Sequence, residues 1–396
     1  MNDVFDRVDE ALDFFRDQAP ADEAANQLTP ETAARLRATG VMKMLQPKQF
    51  GGQATAITDW LEQVVKIGSR NGAAGWVTGV VGVHSWELAQ TPIGIQEEIW
   101  GGGELSPLGP DTWCASPYAP FGRAKIVDGG VILNGRWPFS SGTDHCNWIM
   151  LGGLIPEPEN NQGFEQVGML RFVLPRSDYE IDQDSWNVLG LEGTGSKDIV
   201  IKDTFVPWHH IIDTGRYADE RVKLGRDDDL YKFPHGLLFA GVINGGTLSL
   251  INGVLREYVE YAKSRVDSHG AAAVDSMAQL HTLAEVASDV KASTLSFLDT
   301  FHSVQKVATA NNGEVPVGLR LEARRDQIRA VHRASDAVDR LFNYGGGASV
   351  YRNNAMQRMW RDMHTARNHG GNSADTAYES YAKHTFGLPL PEGLRI

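Results

Sequence analysis

Gly135-Arg136-Trp137-Pro138-Phe139-Ser140-Ser141-Gly142-Thr143-Asp144-His145 packs two aromatics, a proline, two hydroxyls and a glycine turn into eleven residues. Short β-rich runs flank it: Ala124–Val127 and Val131–Leu133 before it, Trp148–Leu151 and Met169–Leu174 after it. Gly, Pro, Asn and Asp punctuate these runs, as in Asp128-Gly129-Gly130. Too few residues separate them for crossover helices, so a small, mainly antiparallel sheet is expected over about 111–215.

On either side the period changes to helical. Val4, Val8, Ala11, Leu12 and Phe15 share one face near the N-terminus. Thr29-Pro30-Glu31 reads as N-cap, proline at the first helical position and an acid in the first turn. Further apolar faces run over 54–69 and 72–90, the second rich in Gly and Ala. Beyond about 235, Leu248, Ile251, Leu255, Tyr258 and Val259 mark one long helix, and Leu283, Val286, Val290 and Leu298 another. The reading is α+β in three parts: an N-terminal helical domain (1–110), a central β domain (111–215) and a C-terminal helical bundle (216–396).

With 396 residues, 42% hydrophobic and 22% charged, the chain has the composition of a globular protein with more than one packed unit. Its 37 basic against 50 acidic residues, net charge −13, disfavour nucleic acid or an anionic membrane as partner. The acidic start Met1–Asp6 lacks a signal peptide's pattern. Cys114 and Cys146 are not in C-x-x-C spacing and read as reduced structural thiols, so a cytoplasmic protein is expected. No phosphate loop and no G-x-S-x-G elbow occur; Gly193-Thr194-Gly195-Ser196-Lys197-Asp198 begins like a dinucleotide fingerprint but ends in Asp. His364 and His369 are five apart, and His209-His210 reads as a solvated loop pair, so no metal site is expected.

The quoted turn can lay an aromatic face on a planar ring and aim hydroxyl and N–H donors at its edge. A flavin isoalloxazine, apolar on its faces and polar along its reactive edge, requires that combination. A hairpin corner that happens to carry two serines is the competing reading.

Three further segments carry a resemblance. They are Leu189-Gly190-Leu191-Glu192-Gly193-Thr194-Gly195-Ser196 leading to Val206-Pro207; Glu260-Tyr261-Ala262-Lys263-Ser264-Arg265; and Asn343-Tyr344-Gly345-Gly346-Gly347 followed by Gln357-Arg358-Met359-Trp360-Arg361-Asp362. In this order they resemble the acyl-CoA dehydrogenase fold over nearly the whole chain. In those dehydrogenases a glutamate base often follows the Arg-Asp pair in a Tyr-Glu-Gly triplet. Here, aligned without gaps, stands His369-Gly370-Gly371. With the Trp-Pro-Phe-Ser-Ser-Gly turn, Asp144-His145-Cys146 and Val83-His84-Ser85-Trp86, this resembles another branch: two-component flavin-dependent monooxygenases such as the 4-hydroxyphenylacetate and secosteroid hydroxylases.

That resemblance implies an oxygenase component. It takes reduced flavin (FMN, with FAD the alternative) from a separate NAD(P)H:flavin reductase and reacts it with O₂ to a C4a-hydroperoxide. It then hydroxylates a small aromatic, phenolic substrate. Ser141 is assigned to hydrogen bonding near flavin N5, ahead of Ser140, and Trp137 to packing on the flavin or shaping the pocket wall. His369 is the first candidate for base or hydroperoxide partner and His84 the second, with His145 and His364 behind them. Arg265 would neutralise flavin phosphate across a subunit boundary, and Ser196, Gly346 and Gly347 would donate to phosphate or ribityl groups. Residues setting substrate size are expected in 210–235 and 365–385. A homotetramer is expected. The alternatives are an FAD-dependent acyl-CoA dehydrogenase, an oxygenase of sulfur or nitrogen, and a non-catalytic helical scaffold.

Overall fold

The computed structural model describes residues 3–155, 170–266, 270, 272–391 and 394. The N-terminal part holds five helices: α1 (Val4–Ala25), α2 (Pro30–Thr39), α3 (Ile57–Gly68), α4 (Gly72–Leu88) and α5 (Ile93–Trp100). Val4, Val8, Ala11, Phe15 and Ala19 are the buried stripe of α1, with Leu12 at its edge. Thr29 caps α2 by accepting from Thr32 N–H, Pro30 takes the first turn, and Gly40 ends the helix at φ +80°. Helices α3 and α4 cross so closely that a Cβ on Gly75 would sit 2.1 Å from the Gly68 Cα, which only glycine permits.

Among the described residues eight strands form one sheet: β1 (Cys114–Ala115), β2 (Gly122–Val127), β3 (Gly130–Ser140), β4 (Trp148–Leu154), β5 (Leu170–Pro175), β6 (Glu180–Asp182), β7 (Lys197–Pro207) and β8 (Ile211–Asp213). Met169 lies outside the described residues. The order is β6-β7-β3-β2-β4-β5-β8, with β1 beside β4. Most pairings are antiparallel; β1–β4 and β2–β4 are parallel, so the sheet is mixed. After the Ser141–Asn147 turn the chain runs back against β3 but crosses to the far side of β2, so β4 lies parallel to β2.

Six helices follow: α6 (Tyr217–Lys223), α7 (His235–Ser264), α8 (Met277–Ala310), α9 (Val317–Phe342), α10 (Ala355–Arg367) and α11 (Asp375–Thr385). α7 is the hub, packed on α3, α4, α9 and α10. Among the described helices it alone has the length and hydropathy to cross a membrane, but 83% of its apolar window is buried inside the fold.

One clamp joins the sheet to the bundle. Asp362 on α10 accepts from Leu191 N–H at 2.6 Å, and Arg361 donates to Leu189 O at 2.6 Å. Glu23 of α1 pairs with Arg358 and Arg361 from the far side. Gly190 lies so close that a Cβ there would be 2.5 Å from Arg361 O, and Leu191 adopts φ +59°. Two of the segments carrying the family resemblance are therefore bonded to each other. Burial raises the Asp362 carboxyl to about 7, against the Leu191 hydrogen bond and the Arg361 charge.

Asp362→Ala leaves a buried N–H without an acceptor and is expected to cost about 2–3 kcal/mol in urea unfolding, while Asp362→Asn, which keeps an acceptor, costs less. Because the folded-state pKa is raised, the folded chain holds this proton longer than the unfolded one. Stability from Asp362 is full at low pH and is lost as pH rises towards 7. In the Asn variant that decline should disappear.

Candidate functional site

A cavity of about 970 Å³ lies where α4, the end of β3, the 186–196 loop, α7 and the residues after α10 converge. Its polar groups gather at two ends. At the first, Ser141 Oγ and Ser196 Oγ are 2.7 Å apart; Trp76 Nε1 donates to Ser141 Oγ at 3.3 Å, and Thr194 Oγ1 lies 2.7 Å from Ser196 Oγ. Gly142 N–H donates to Thr194 O at 2.8 Å, which ties the quoted turn to the 191–196 loop held by the clamp.

His369 faces the same end, its ring 6.1 Å from that of Trp76. Its Nδ1 accepts from Gly371 N–H at 3.0 Å, which puts the proton of the neutral ring on Nε2. The turn it starts is pinned from α7 and α9. Arg324 donates to Gly371 O and, at 2.7 Å, to Asn244 Oδ1; Asn244 Nδ2 donates to Gly371 O and Asn372 Oδ1; Asn372 Nδ2 donates to Thr247 Oγ1. Burial, then the Arg324 charge, lowers the His369 pKa; burial likewise takes Arg324 down to about 10. Gly370 lines the cavity, and nothing lies within 4 Å of a Cβ built there.

At the second end, His84 of α4 lies beside Tyr118 and Phe239, with Tyr118 Oη 2.8 Å from His84 Nδ1. Burial lowers the His84 pKa. Trp76 and His84 are eight residues apart on one helix, so about 12 Å separates the two ends. Between them the walls are apolar: Val80, Val83, Phe139, Trp186, Leu189 and Ile243 among others.

Ser141, Ser196, His84, His369 and Gly370 thus line one space, as does His364, which is held by Asp339 at 2.9 Å. Other expected positions do not. Trp137 is fully buried within the sheet; its Nε1 donates to Gly152 O at 2.7 Å, and its ring fills the space left by Gly122 and Gly135. Ser140 also turns inward, and its Oγ has no partner. The cause is a bulge: between Trp137 and Ser140, β3 runs one residue longer than β7. Phe139 absorbs it at φ +68° and swings out against Trp186. Phe139, not Trp137, is the aromatic on the wall.

Arg265 and Gly346 line a separate recess of about 410 Å³ at the far end of α7, with Gly347 opening the next turn. Ile243 touches the cavity, and Arg265 follows 22 residues later, roughly 33 Å along the helix axis. No single chain brings them to one ring system. Segment 210–235 contributes no wall, because it packs over the outer side of α4. His145 is occupied by Leu28 O at 2.8 Å. His210 is buried against Glu98 at 2.8 Å instead of being solvated; with His209 these are the described residues whose His and carboxylate ligand atoms gather within 4.8 Å.

Sequence reasoning missed Trp76, Phe139, Trp186, Tyr118, Asn244, Arg324 and Asn372. Only Trp76 carried a local signal, two turns before His84 on the same Gly-rich helix. The fit for a reduced flavin rests on the serine pair: adjacent hydroxyls at one end of an otherwise apolar space can hold the polar edge of a flat ring system.

Residues 248–374 match the acyl-CoA dehydrogenase C-terminal domain family. The chain is 35% identical to the flavin-dependent monooxygenase oxygenase subunit HsaA of Rhodococcus jostii, over 98% of this chain and 99% of that one. It is 29% identical to the FADH(2)-dependent resorcinol hydroxylase oxygenase component of a Rhizobium species, over 92% and 89%. The crystal structure of the HsaA monooxygenase from M. tuberculosis superposes with a TM-score of 0.87 at 34% identity, covering 99% of both chains.

Trp137→Phe is expected to lower stability by roughly 1–3 kcal/mol without changing reduced-flavin affinity, whereas Phe139→Ala should weaken that affinity with little cost in stability. Calorimetry and anaerobic flavin titration separate the two. His84 and His369 hold depressed pKa values, so activity that needs them neutral persists below the ordinary imidazole range and falls only at more acid pH.

Proposed function

The chain belongs to the oxygenase components of two-component flavin-dependent monooxygenases, and we propose that the aromatic substrate it hydroxylates is a phenol. It uses reduced flavin, made by a separate flavin reductase, together with O₂. Bound flavin supplies the two electrons that activate O₂, one atom of which enters the aromatic ring.

The Ser141–Ser196 pair beside His369 carries the assignment of roles. Ser141, braced by Trp76 and Ser196, donates to the polar edge of the flavin ring. His369, whose Nδ1 is engaged by Gly371 N–H, presents Nε2–H and donates to the oxygen being activated. The apolar walls exclude water, which would otherwise divert that oxygen to H₂O₂. His84, at the other end with no hydrogen-bond partner on Nε2 among the described residues, takes the phenol proton. Trp137 and Ser140 hold the turn from behind and do not touch cofactor.

No Lys or Arg lines the cavity among the described residues, so the flavin phosphate needs a cation from elsewhere. Arg265, remote in its own chain, meets it from a second copy, with Gly346 and Gly347 framing the recess. That argues for an oligomer; a tetramer and FMN are the forms we favour. A cytoplasmic location accords with two unpaired, buried cysteines.

The test mixes anaerobic protein and reduced FMN with oxygenated buffer and a panel of phenols, and measures hydroxylated product against H₂O₂. Wild type should convert at least one phenol. Ser141→Ala and His369→Ala should each divert about tenfold more oxygen to H₂O₂, the worth of one good hydrogen bond. Unchanged coupling in both variants would refute the assigned roles, and no product from any phenol would refute the substrate class.

A further inference from the structure

Outside the serine pair, the densest set of buried titratable groups surrounds Glu87. It is fully buried on α4, one turn beyond His84. Its Oε1 accepts from Tyr217 Oη at 2.6 Å and lies 3.4 Å from His235 Nε2 and 3.5 Å from Arg171 Nε. Its Oε2 accepts a very short hydrogen bond from Tyr118 Oη, with His84 Nδ1 at 3.7 Å. The Arg171 guanidinium also stands 3.8 Å over the Tyr118 ring. These are the titratable groups that face Glu87 from α4, the 116–121 loop, β5, α6 and α7.

Hydrogen-bond directions follow from one charge. Burial alone would raise the Glu87 carboxyl, but hydrogen bonds from His235 and His84 and the Arg171 charge hold it well below the usual range, so it is an acceptor only. Tyr118 therefore donates to Glu87 and accepts from His84. His84 must carry its neutral-state proton on Nδ1, which leaves the Nε2 lone pair free. At the other end of the network, His235 opens α7 with 32% of its side chain exposed, outside the walls of the cavity.

We propose that His84, Tyr118, Glu87 and His235 form a proton relay between the substrate cavity and solvent. It rests on the reading of His84 as the base. The substrate O–H breaks as His84 Nε2–H forms; His84 Nδ1–H passes to Tyr118 Oη while the Tyr118 proton passes to Glu87 Oε2. The neutral Glu87 acid and the His235 ring then turn so that the acid's O–H meets the unprotonated Nδ1; Glu87 returns to carboxylate, and the imidazolium releases its Nε2 proton to water. No electrons move. Returning a proton to the product phenolate runs the same hops backward and resets each tautomer. Tyr217 and Arg171 keep Glu87 ionised between passages.

The experiment uses the full chain with reduced FMN, O₂ and a phenol that the wild type hydroxylates. In dilute buffer His235→Ala should slow hydroxylation about tenfold, leave KM for the phenol unchanged, and regain speed with added imidazole, which replaces a missing proton carrier but not a missing strut. In flavin-free protein, ring ¹⁵N NMR should find His84 protonated on Nδ1, and Tyr118→Phe should move that proton to Nε2. A His235→Ala enzyme at wild-type speed, a loss that imidazole leaves untouched, or a wild-type His84 protonated on Nε2 would each overturn the relay. A wild type that hydroxylates no phenol overturns the base reading and the relay together, so the two failures are distinguishable.

Discussion

A buried carboxyl at the edge of the sheet makes the site possible. Asp362 takes the Leu191 N–H that the sharp turn at Gly190–Leu191 leaves without a backbone partner, and so fastens the loop before β7 to α10. That loop carries Thr194 and Ser196; the residues just past α10 carry His369. Without the bond the two halves of the serine–histidine end would belong to separate bodies. The Arg361, Arg358 and Glu23 contacts reinforce it, but their charges are part-exposed and screened, and the buried, directional hydrogen bond decides the geometry.

Helix α4 organises the rest. Its small residues let α3 and α7 approach, and Gly142 lets the β3 turn close on Val77 and Val81, which leaves Trp76 and His84 on the surface that opens to the cavity. One rigid helix therefore spaces the end proposed to handle oxygen from the end proposed to take the substrate proton. Both ends need histidines, yet in different hydrogen-bonded states. The Gly371 N–H makes His369 a donor at Nε2, and the charge on Glu87, acting through Tyr118, makes His84 an acceptor there. The same residue type serves two roles because its second nitrogen has a different neighbour.

The three-part order of helices, strands and helices was legible because hydrophobic period is local, and capping at Thr29–Pro30 or punctuation at Asp128–Gly130 is readable in a few residues. Ser141, Ser196, His84 and His369 were legible through motifs. Trp137 was misplaced because the turn was read without its strand register: Trp137 stays paired and buried, and the residue inserted between it and Ser140 brings Phe139 out instead. Segment 210–235 was misjudged for a related reason: it is polar and turn-rich, but its position over the back of α4 depends on Trp86 and Glu87 reaching it from the other side.

By itself, then, the sequence determined which elements form and which short stretches punctuate them. Those are properties of neighbours in the chain. Only the tertiary structure decided which serine meets Ser196, that Phe139 replaces Trp137 on the wall, that Arg265 lies a helix length from its own cavity, and that Glu87 gathers four partners from four other segments. Each of these depends on strand register or on contacts between residues far apart in the chain. Hydrogen-bond direction and burial at such contacts are set by the packed whole, and no local pattern encodes them.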